Sequence, residues 1–193
     1  LSESIDGAGE KFKSIFGIII GTGFGGALSY KKEIIEGTNQ IAGDWGHQPL
    51  PYPTDEEIKT EIRCPSMNCG RALCAEQFMS GVGFANVFNK KNNTNFDSHE
   101  IADLDKKGDP RANTEFNLYE DRMARLIAVM IGIFDPEAIV LGGGMSNIDR
   151  LYKNIPMLIA KYIFSNQVKT KILKNLHGDS SGVRGAAWLW NNN

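Results

Sequence analysis

The chain has 193 residues, a formal net charge of −2, 41 % hydrophobic residues and 23 % charged residues. This length can bury a sizeable core, and the composition is that of an ordinary globular protein. The small net charge argues against a large nucleic-acid-binding or anionic-membrane-binding surface, and no apolar run approaches the roughly 20 residues needed to span a bilayer. We therefore expect neither a nucleic-acid partner nor a membrane.

The first ten residues are polar and acidic, unlike a secretory signal peptide. They lack an initial Met and resemble the middle of a helix, so we expect the sequence to be a fragment of a longer protein. An odd number of cysteines, clustered between Cys64 and Cys74, does not suit a secreted disulfide framework. Such a cluster is typical of metal binding or redox chemistry in a cytoplasmic protein.

The segment 15–30 predicts a strand, a glycine-rich turn and a second strand, with a third short strand at Ile34 and Ile35. The motif G-T-G-F-G-G occupies Gly21–Gly26. Glycines after a strand let the backbone approach a ligand, and successive free amides form an anion site. Neither a Walker A loop nor a Rossmann turn fits, because G-K-[ST] is absent and a strand follows. A tight hairpin with a bulge is the structural alternative.

Residues 38–74 show little periodicity and contain four of the seven prolines and all three cysteines. An irregular segment of this length should be functional or held in place by a specific interaction. It includes A-G-D-W-G-H-Q-P-L-P, in which Asp44 and His47 flank Trp45, the last expected to pack.

Three thiolates and one imidazole make a tetrahedral Cys₃His zinc shell. The residues that would supply it are His47, Cys64, Cys69 and Cys74. The alternatives are buried, small apolar cysteines and a loop histidine bonded to the backbone.

Helices are predicted at 75–90, 98–107 and 111–134, the last with apolar residues at spacings of three and four. Asp135 and Pro136 end it. The residues expected to face the core are Phe78, Val82, Ala85 and Phe88 in the first helix and Phe116, Tyr119, Met123, Leu126, Ile127, Met130 and Ile133 in the last. A core role for the last group is favoured over a ligand groove.

The run 138–141 predicts a buried strand, followed by Gly142, Gly143 and Gly144 and then a helix from Ser146 to about Phe164, interrupted near Pro156. Strand, glycines and helix start are the arrangement with which α/β sheets bind nucleotides. Close helix–sheet packing is the alternative role for these glycines. A strand at 169–173 and a helix at 181–190 complete a mixed α/β sheet with packed helices.

Together these motifs resemble the ROK family (repressors, open reading frames, kinases), in particular its bacterial sugar kinases. The family pattern runs G-T-G-x-G-G, A-G-E-x-G-H, C-x-C-G-x-x-G-C-x-E and I-V-L-G-G-G. The corresponding residues here are 21–26, 42–47, 64–76 and 139–144. The tail at 177–187, H-G-D-S-S-G-V-R-G-A-A, is also similar. Within the family, this tail and D-W-G-H-x-P-L-P are most similar to fructokinases that also accept mannose.

The resemblance implies an actin-like ATPase (ribonuclease H-like) fold, with residues 1–193 as a single C-terminal lobe carrying an irregular zinc-loop insert at about 38–74. It implies ATP-dependent phosphorylation of a hexose, fructose or mannose, by a cytoplasmic enzyme that can form a homodimer. The catalytic aspartate is expected upstream of Leu1, so no catalytic residue is assigned here and the isolated chain is expected to be inactive. The alternatives are the sugar-sensing lobe of a ROK repressor and an inactive lobe that keeps zinc only for folding.

The resemblance also implies residue roles. The residues implied to face the ATP phosphates are Gly21, Thr22, Gly23, Gly25 and Gly26. The residues implied to face the adenosine are Gly142, Gly143 and Gly144. The residues implied to bind sugar hydroxyls are Asp44, His47 and Glu76, and those implied to bind structural Zn²⁺ are His47, Cys64, Cys69 and Cys74. Mg²⁺ would accompany ATP.

Three positions depart from the family pattern. Asp44 replaces the usual Glu, and the first cysteine pair is C-x₄-C, so Cys64 must fold back to reach a metal. Leu73 replaces the glycine before the last cysteine.

Overall fold

A mixed sheet of five strands forms the centre of the fold in the computed structural model, which describes residues 1–165, 167–178 and 181–189. The strands are β1 (Ser14–Ile20), β2 (Phe24–Tyr30), β3 (Glu33–Ile34), β4 (Ala138–Gly142) and β5 (Lys171–Lys174). Their order is β3-β2-β1-β4-β5. The first three are antiparallel neighbours, whereas β4 runs parallel to β1 and β5 parallel to β4. The predicted mixed α/β sheet is confirmed.

Eight α-helices accompany the sheet within the described residues. They are α1 (Ser2–Ile5), α2 (Asp55–Ile58), α3 (Ala75–Met79), α4 (Gly81–Asn92), α5 (Ser98–Lys106), α6 (Pro110–Phe134), α7 (Arg150–Ile159) and α8 (Ser181–Leu189). None of them is both long and apolar enough to cross a membrane.

The pleat of β1 divides its side chains between two faces of the sheet. Phe16, Ile18 and Ile20 are fully buried in the main core, which α3, α4, α6 and α7 complete. Ile15 and Ile19 point to the opposite face, where α1 and α8 pack against each other. The main core therefore lies on the side of the sheet that carries the long helices.

The predicted helix at 75–90 is two helices, because Ser80 is extended and its hydroxyl accepts a hydrogen bond from Gly83 N. Val82 follows this break and is 39 % exposed, and Ile133 is 78 % exposed, so the prediction that both face the core is wrong. The other residues predicted to face the core in these two helices are buried.

The predicted helix from Ser146 to Phe164 is shorter. A 3-10 helix, Gly144–Asn147, follows β4, and α7 continues through Pro156 instead of breaking there. The buried face of α7, formed by Leu151, Ile155 and Ile159, holds the helix against the core despite the missing amide. In the predicted C-terminal motifs, Asp179, Ser180 and Trp190 lie outside the described residues.

An ion-pair cluster holds the irregular segment to α6. Glu57, in α2, is 4 % exposed and contacts Arg122 Nε at 2.7 Å and Arg125 Nη2 at 2.8 Å through Oε1. Thr54 caps the short helix with a reciprocal hydrogen bond to Glu57. Burial alone would raise the pKa of Glu57, but the hydrogen bonds from Arg125 and Arg122 outweigh it and lower the pKa to about 2. The sequence analysis did not predict this cluster.

Candidate active site and metal centre

The first glycine motif is divided between a turn and a strand. Gly21, Thr22 and Gly23 form the β1–β2 turn, whereas Gly25 and Gly26 lie within β2, because the ladder with β1 begins at Phe24. Gly21 N donates to Gly23 O at 3.0 Å. Within this motif, the exposed residues are Thr22 and Gly23, both in the turn, where a ligand could reach them.

Gly26 has a packing role. A Cβ there would lie 2.6 Å from the Phe16 ring and 2.8 Å from Gly17 O. Gly26 is therefore required by packing within the sheet, a role that the sequence analysis did not assign to this motif.

The second glycine motif begins at the end of β4. Gly143 has φ +81°, and a Cβ on it would lie 2.5 Å from Ile20 O, so a side chain is excluded both by conformation and by space. Gly144 then starts the 3-10 helix and lies beside the His99 ring. Because β1 and β4 are adjacent and parallel, both glycine motifs occur at the same edge of the sheet.

A cleft of about 600 Å³ joins the two glycine motifs. Gly21 and Thr22 line one side, and Gly144 lines the other. Ser98 and His99, from the start of α5, also line it. No sequence pattern pointed to these two residues, since α5 reaches the cleft only through tertiary packing.

The A-G-D-W-G-H segment lies directly against β2. A Cβ on Gly43, which has φ +90°, would lie 2.7 Å from Gly26 O, and a Cβ on Gly46 would lie 1.8 Å from Phe24 O. Both positions therefore require glycine. The segment consequently runs along the part of β2 nearest the glycine turn.

Trp45 is confirmed as a packing residue. It is 8 % exposed, contacts the Phe16 ring edge-on at 4.8 Å and stacks on Phe24 at 5.1 Å. Asp44 is exposed and His47 is partly buried. The anchored tryptophan thus fixes the short backbone that carries both polar residues.

Glu76 lies where the glycine turn, the Asp44–His47 segment and the cysteines meet. Its Oε2 atom accepts a hydrogen bond from Phe24 N at 3.1 Å, and its own amide donates to Gly46 O at 2.7 Å. Its Oε1 atom lies 3.7 Å from Cys64 Sγ. The side chain reaches these partners from the first turn of α3.

Four candidate metal ligands converge. The ligand atoms of His47, Cys64, Cys69 and Cys74 all lie within 4.8 Å of one another. His47 Nδ1 is 3.8 Å from Cys64 Sγ and 3.5 Å from Cys74 Sγ, and the sulfurs of Cys69 and Cys74 are 3.8 Å apart.

These separations fit one tetrahedral ion. Zinc–sulfur bonds of about 2.3 Å place tetrahedral sulfurs about 3.8 Å apart, and a shorter zinc–nitrogen bond brings nitrogen slightly closer to sulfur. In the absence of a cation, burial raises the pKa of the Cys64 and Cys74 thiols. A cation would have to displace these protons, because thiolates are the ligating form.

The C-x₄-C departure does not displace Cys64 from the cluster. Cys64 N donates to Arg71 O at 3.0 Å, which folds the chain back, and Met67 at the tip is fully exposed. The residues between the first two cysteines therefore loop outward. Leu73, at the other departure, adopts φ +55°, the conformation that its family counterpart, glycine, adopts without strain.

The ROK family model matches residues 1–193. The chain belongs to the ROK family. This ROK chain is 36 % identical over 191 residues to an N-acetyl-D-glucosamine kinase from Photobacterium profundum, a match that covers 98 % of the chain and 62 % of that relative. The chain thus spans less than two thirds of the relative's length.

Solved structures confirm the predicted ROK fold. A ROK family glucokinase from Streptomyces griseus in complex with glucose and AMPPNP has a TM-score of 0.82 at 22 % identity, covering 97 % of this chain and 64 % of that one. A ROK family transcriptional regulator, a homologue of the E. coli MLC protein, has a TM-score of 0.77 at 19 % identity, covering 96 % of this chain and 48 % of that one. The fold is therefore shared by kinases and regulators.

Proposed function

We propose that this ROK chain supplies the nucleotide-facing and sugar-facing elements of a cytoplasmic, ATP-dependent hexose kinase. The observation that carries the proposal is the convergence of three elements at one edge of the sheet. The Gly21–Gly23 turn and the Gly142–Gly144 motif border one cleft, and Glu76 connects that turn to the Asp44–His47 segment. Phosphoryl transfer requires such juxtaposition, because positioning and charge stabilisation supply most of the catalysis.

The amides of Thr22 and Gly23 and the Thr22 hydroxyl would hold the phosphates of Mg²⁺-ATP, and Gly142–Gly144 would lie against the nucleoside. Exposed backbone amides and a hydroxyl donate hydrogen bonds to anionic oxygens without competing side-chain bulk. Asp44, His47 and Glu76 would orient the sugar hydroxyls. No residue of this chain is assigned as the base that accepts the hydroxyl proton, so binding is the direct test on residues 1–193.

N-acetyl-D-glucosamine is the substrate we propose first, since the curated relative with this activity is similar along 98 % of the chain. The tail and D-W-G-H-x-P-L-P motifs support fructose or mannose instead. Calorimetric titration of all three sugars, with Mg²⁺-AMPPNP present, distinguishes them. The expected result is the tightest binding for N-acetyl-D-glucosamine; tighter binding of fructose or mannose would reverse the assignment.

We further propose that the Cys₃His cluster binds a structural Zn²⁺ ion. The chemistry of the donors and their mutual distances support zinc, whose preferred shell is four tetrahedral nitrogen and sulfur ligands. Bound there, the ion would fix the imidazole orientation of His47 as well as the loop.

A sugar-sensing lobe of a ROK repressor is the second candidate, because the same fold occurs in a ROK transcriptional regulator. Nucleotide binding separates the two functions. A kinase lobe should bind Mg²⁺-AMPPNP, and weaker binding by Thr22→Ala, at an exposed residue that lines the cleft, would locate the nucleotide there. Sugar binding with no nucleotide binding by the wild-type chain would favour the sensor.

A further inference from the structure

We propose that Glu76 is a positioning residue that sets the nucleotide-facing turn relative to the sugar-facing segment. The inference rests on the proposed function, and it assigns to Glu76 a task beyond contact with sugar. A sugar contact needs only an accessible carboxylate. Glu76 is 8 % exposed, and one of its oxygens is already bonded to the amide of Phe24, the residue that directly follows the turn.

The hydrogen bond to Phe24 replaces a missing strand partner. Ile20 pairs with Phe24 in the antiparallel ladder, and the flanking Gly21–Gly23 pair carries the ladder hydrogen bond, so the Phe24 amide points away from β1. The short β3 pairs only with Ser29 and Tyr30, at the far end of β2. Glu76 Oε2 accepts this amide at 3.1 Å in a buried position, where an unpaired donor would be costly.

The opposite end of the same residue is bonded to the sugar-facing segment. Glu76 N donates to Gly46 O at 2.7 Å, one residue before His47. Gly46 in turn lies against Phe24 O, so the backbone of residue 24 contacts the sugar-facing segment through its carbonyl and Glu76 through its amide. One residue, through its carboxylate and its main-chain amide, therefore sets the start of β2, beside the turn, relative to the segment.

The Glu76 carboxylate is closely packed between the turn and the cysteine cluster. A Cβ on Gly23 would lie 3.3 Å from Glu76 Oε2, so the carboxylate abuts the turn itself. The other oxygen, Oε1, lies 3.7 Å from Cys64 Sγ at the edge of the proposed metal centre. Movement of the carboxylate would thus disturb both neighbours.

Two substitutions separate position from charge. Glu76→Gln keeps an oxygen at the same reach but removes the charge, whereas Glu76→Asp keeps the charge and withdraws it by one methylene. We expect Glu76→Gln to bind Mg²⁺-AMPPNP within about twofold of wild type but to bind sugar more weakly. We expect Glu76→Asp to bind both ligands about tenfold more weakly, which is the usual effect of losing one buried hydrogen bond. Titrations without sugar measure nucleotide binding alone. Asp44→Asn, at an exposed residue of the sugar-facing segment, is expected to weaken sugar binding only.

The proposal is overturned if the Glu76→Asp variant binds Mg²⁺-AMPPNP like wild type. It is also overturned if Glu76→Gln loses as much affinity for Mg²⁺-AMPPNP as Glu76→Asp does. Amide hydrogen exchange tests positioning even if the Asp variant does not fold. The Phe24 amide should be protected in the wild-type protein and in the Gln variant, whereas the amide of the exposed Thr22, in the preceding turn, should exchange rapidly. Equal exchange of the two amides in the wild-type protein would refute the positioning role. Failure of the wild-type chain to bind Mg²⁺-AMPPNP would instead refute the proposed kinase function and leave the exchange result to decide the role of Glu76.

Discussion

Arg125 holds the Glu57 carboxylate with two parallel hydrogen bonds, Nη1 to Oε2 at 3.0 Å and Nη2 to Oε1 at 2.8 Å. The two residues are 68 positions apart and both are almost fully buried. Bidentate geometry of this kind fixes orientation as well as distance. It anchors the irregular segment to the longest helix independently of the cysteines.

Glu57→Gln should destabilise the protein strongly. The change leaves the buried guanidinium groups of Arg122 and Arg125 without their common carboxylate, and breaking a buried pair in this way costs about 3–5 kcal/mol. Urea unfolding followed by tryptophan fluorescence measures the effect. Glu61→Gln is the matched control, because Glu61 pairs with Lys90 on the exposed surface, and its stability should match wild type. Equal unfolding midpoints for both variants would contradict the prediction.

The Glu57 carboxylate should make the free energy of unfolding depend on pH. The pKa of Glu57 in the folded protein is about 2, below its ordinary value of 4.5. Its contribution is therefore complete above pH 4.5 and is lost as the pH falls from there toward 2. Unfolding free energies of wild type and Glu57→Gln, measured from neutral pH down through this window, should converge on acidification. Curves that stay parallel would exclude Glu57 as the titrating group.

Protein purified without chelator should contain about one equivalent of zinc, as a single four-ligand shell requires. Cys64→Ser should reduce this below about half an equivalent, because a hydroxyl is a poor substitute for thiolate at zinc. His99→Ala, outside the cluster, should retain the metal. Elemental analysis decides the matter, and a wild-type content below about half an equivalent would remove zinc from the proposal.

Two glycine substitutions should have opposite effects. Gly46→Ala places a methyl group 1.8 Å from Phe24 O, a clash with backbone that forces the sugar-facing segment away from β2. We expect lower stability and loss of measurable sugar binding. Gly132→Ala adds a methyl group in open space on the exposed side of α6 and should raise stability by about 1 kcal/mol, because Ala favours helix. Thermal unfolding and sugar titration test both, and a Gly46→Ala variant that binds sugar normally would show that the segment can shift without consequence.

Local sequence was sufficient for the elements whose pattern is strong. The apolar run of β1, the apolar run of β4 and the long periodicity of α6 each predicted the correct element, since backbone conformation follows from short-range periodicity. The sequence likewise predicted the glycine turns after strands and the cysteine cluster with a nearby histidine. Glycine adopts backbone conformations that other residues avoid, and cysteine and histidine are typical metal ligands. These patterns also carried the resemblance to the family that the chain proved to belong to.

Only the tertiary structure decided which residues meet. Val82 and Ile133 fit a core pattern but are 39 % and 78 % exposed, because helical periodicity does not specify which part of a helix other elements cover. The Arg125–Glu57 pair and the Glu76–Phe24 bond join residues 68 and 52 positions apart, and no local periodicity encodes such a pairing. The two glycine motifs share a cleft because β4 inserts next to β1 in parallel register. Sequence thus determined the chemical groups and most of the helices and strands, whereas long-range packing determined the distances between those groups. Binding and catalysis depend on these distances.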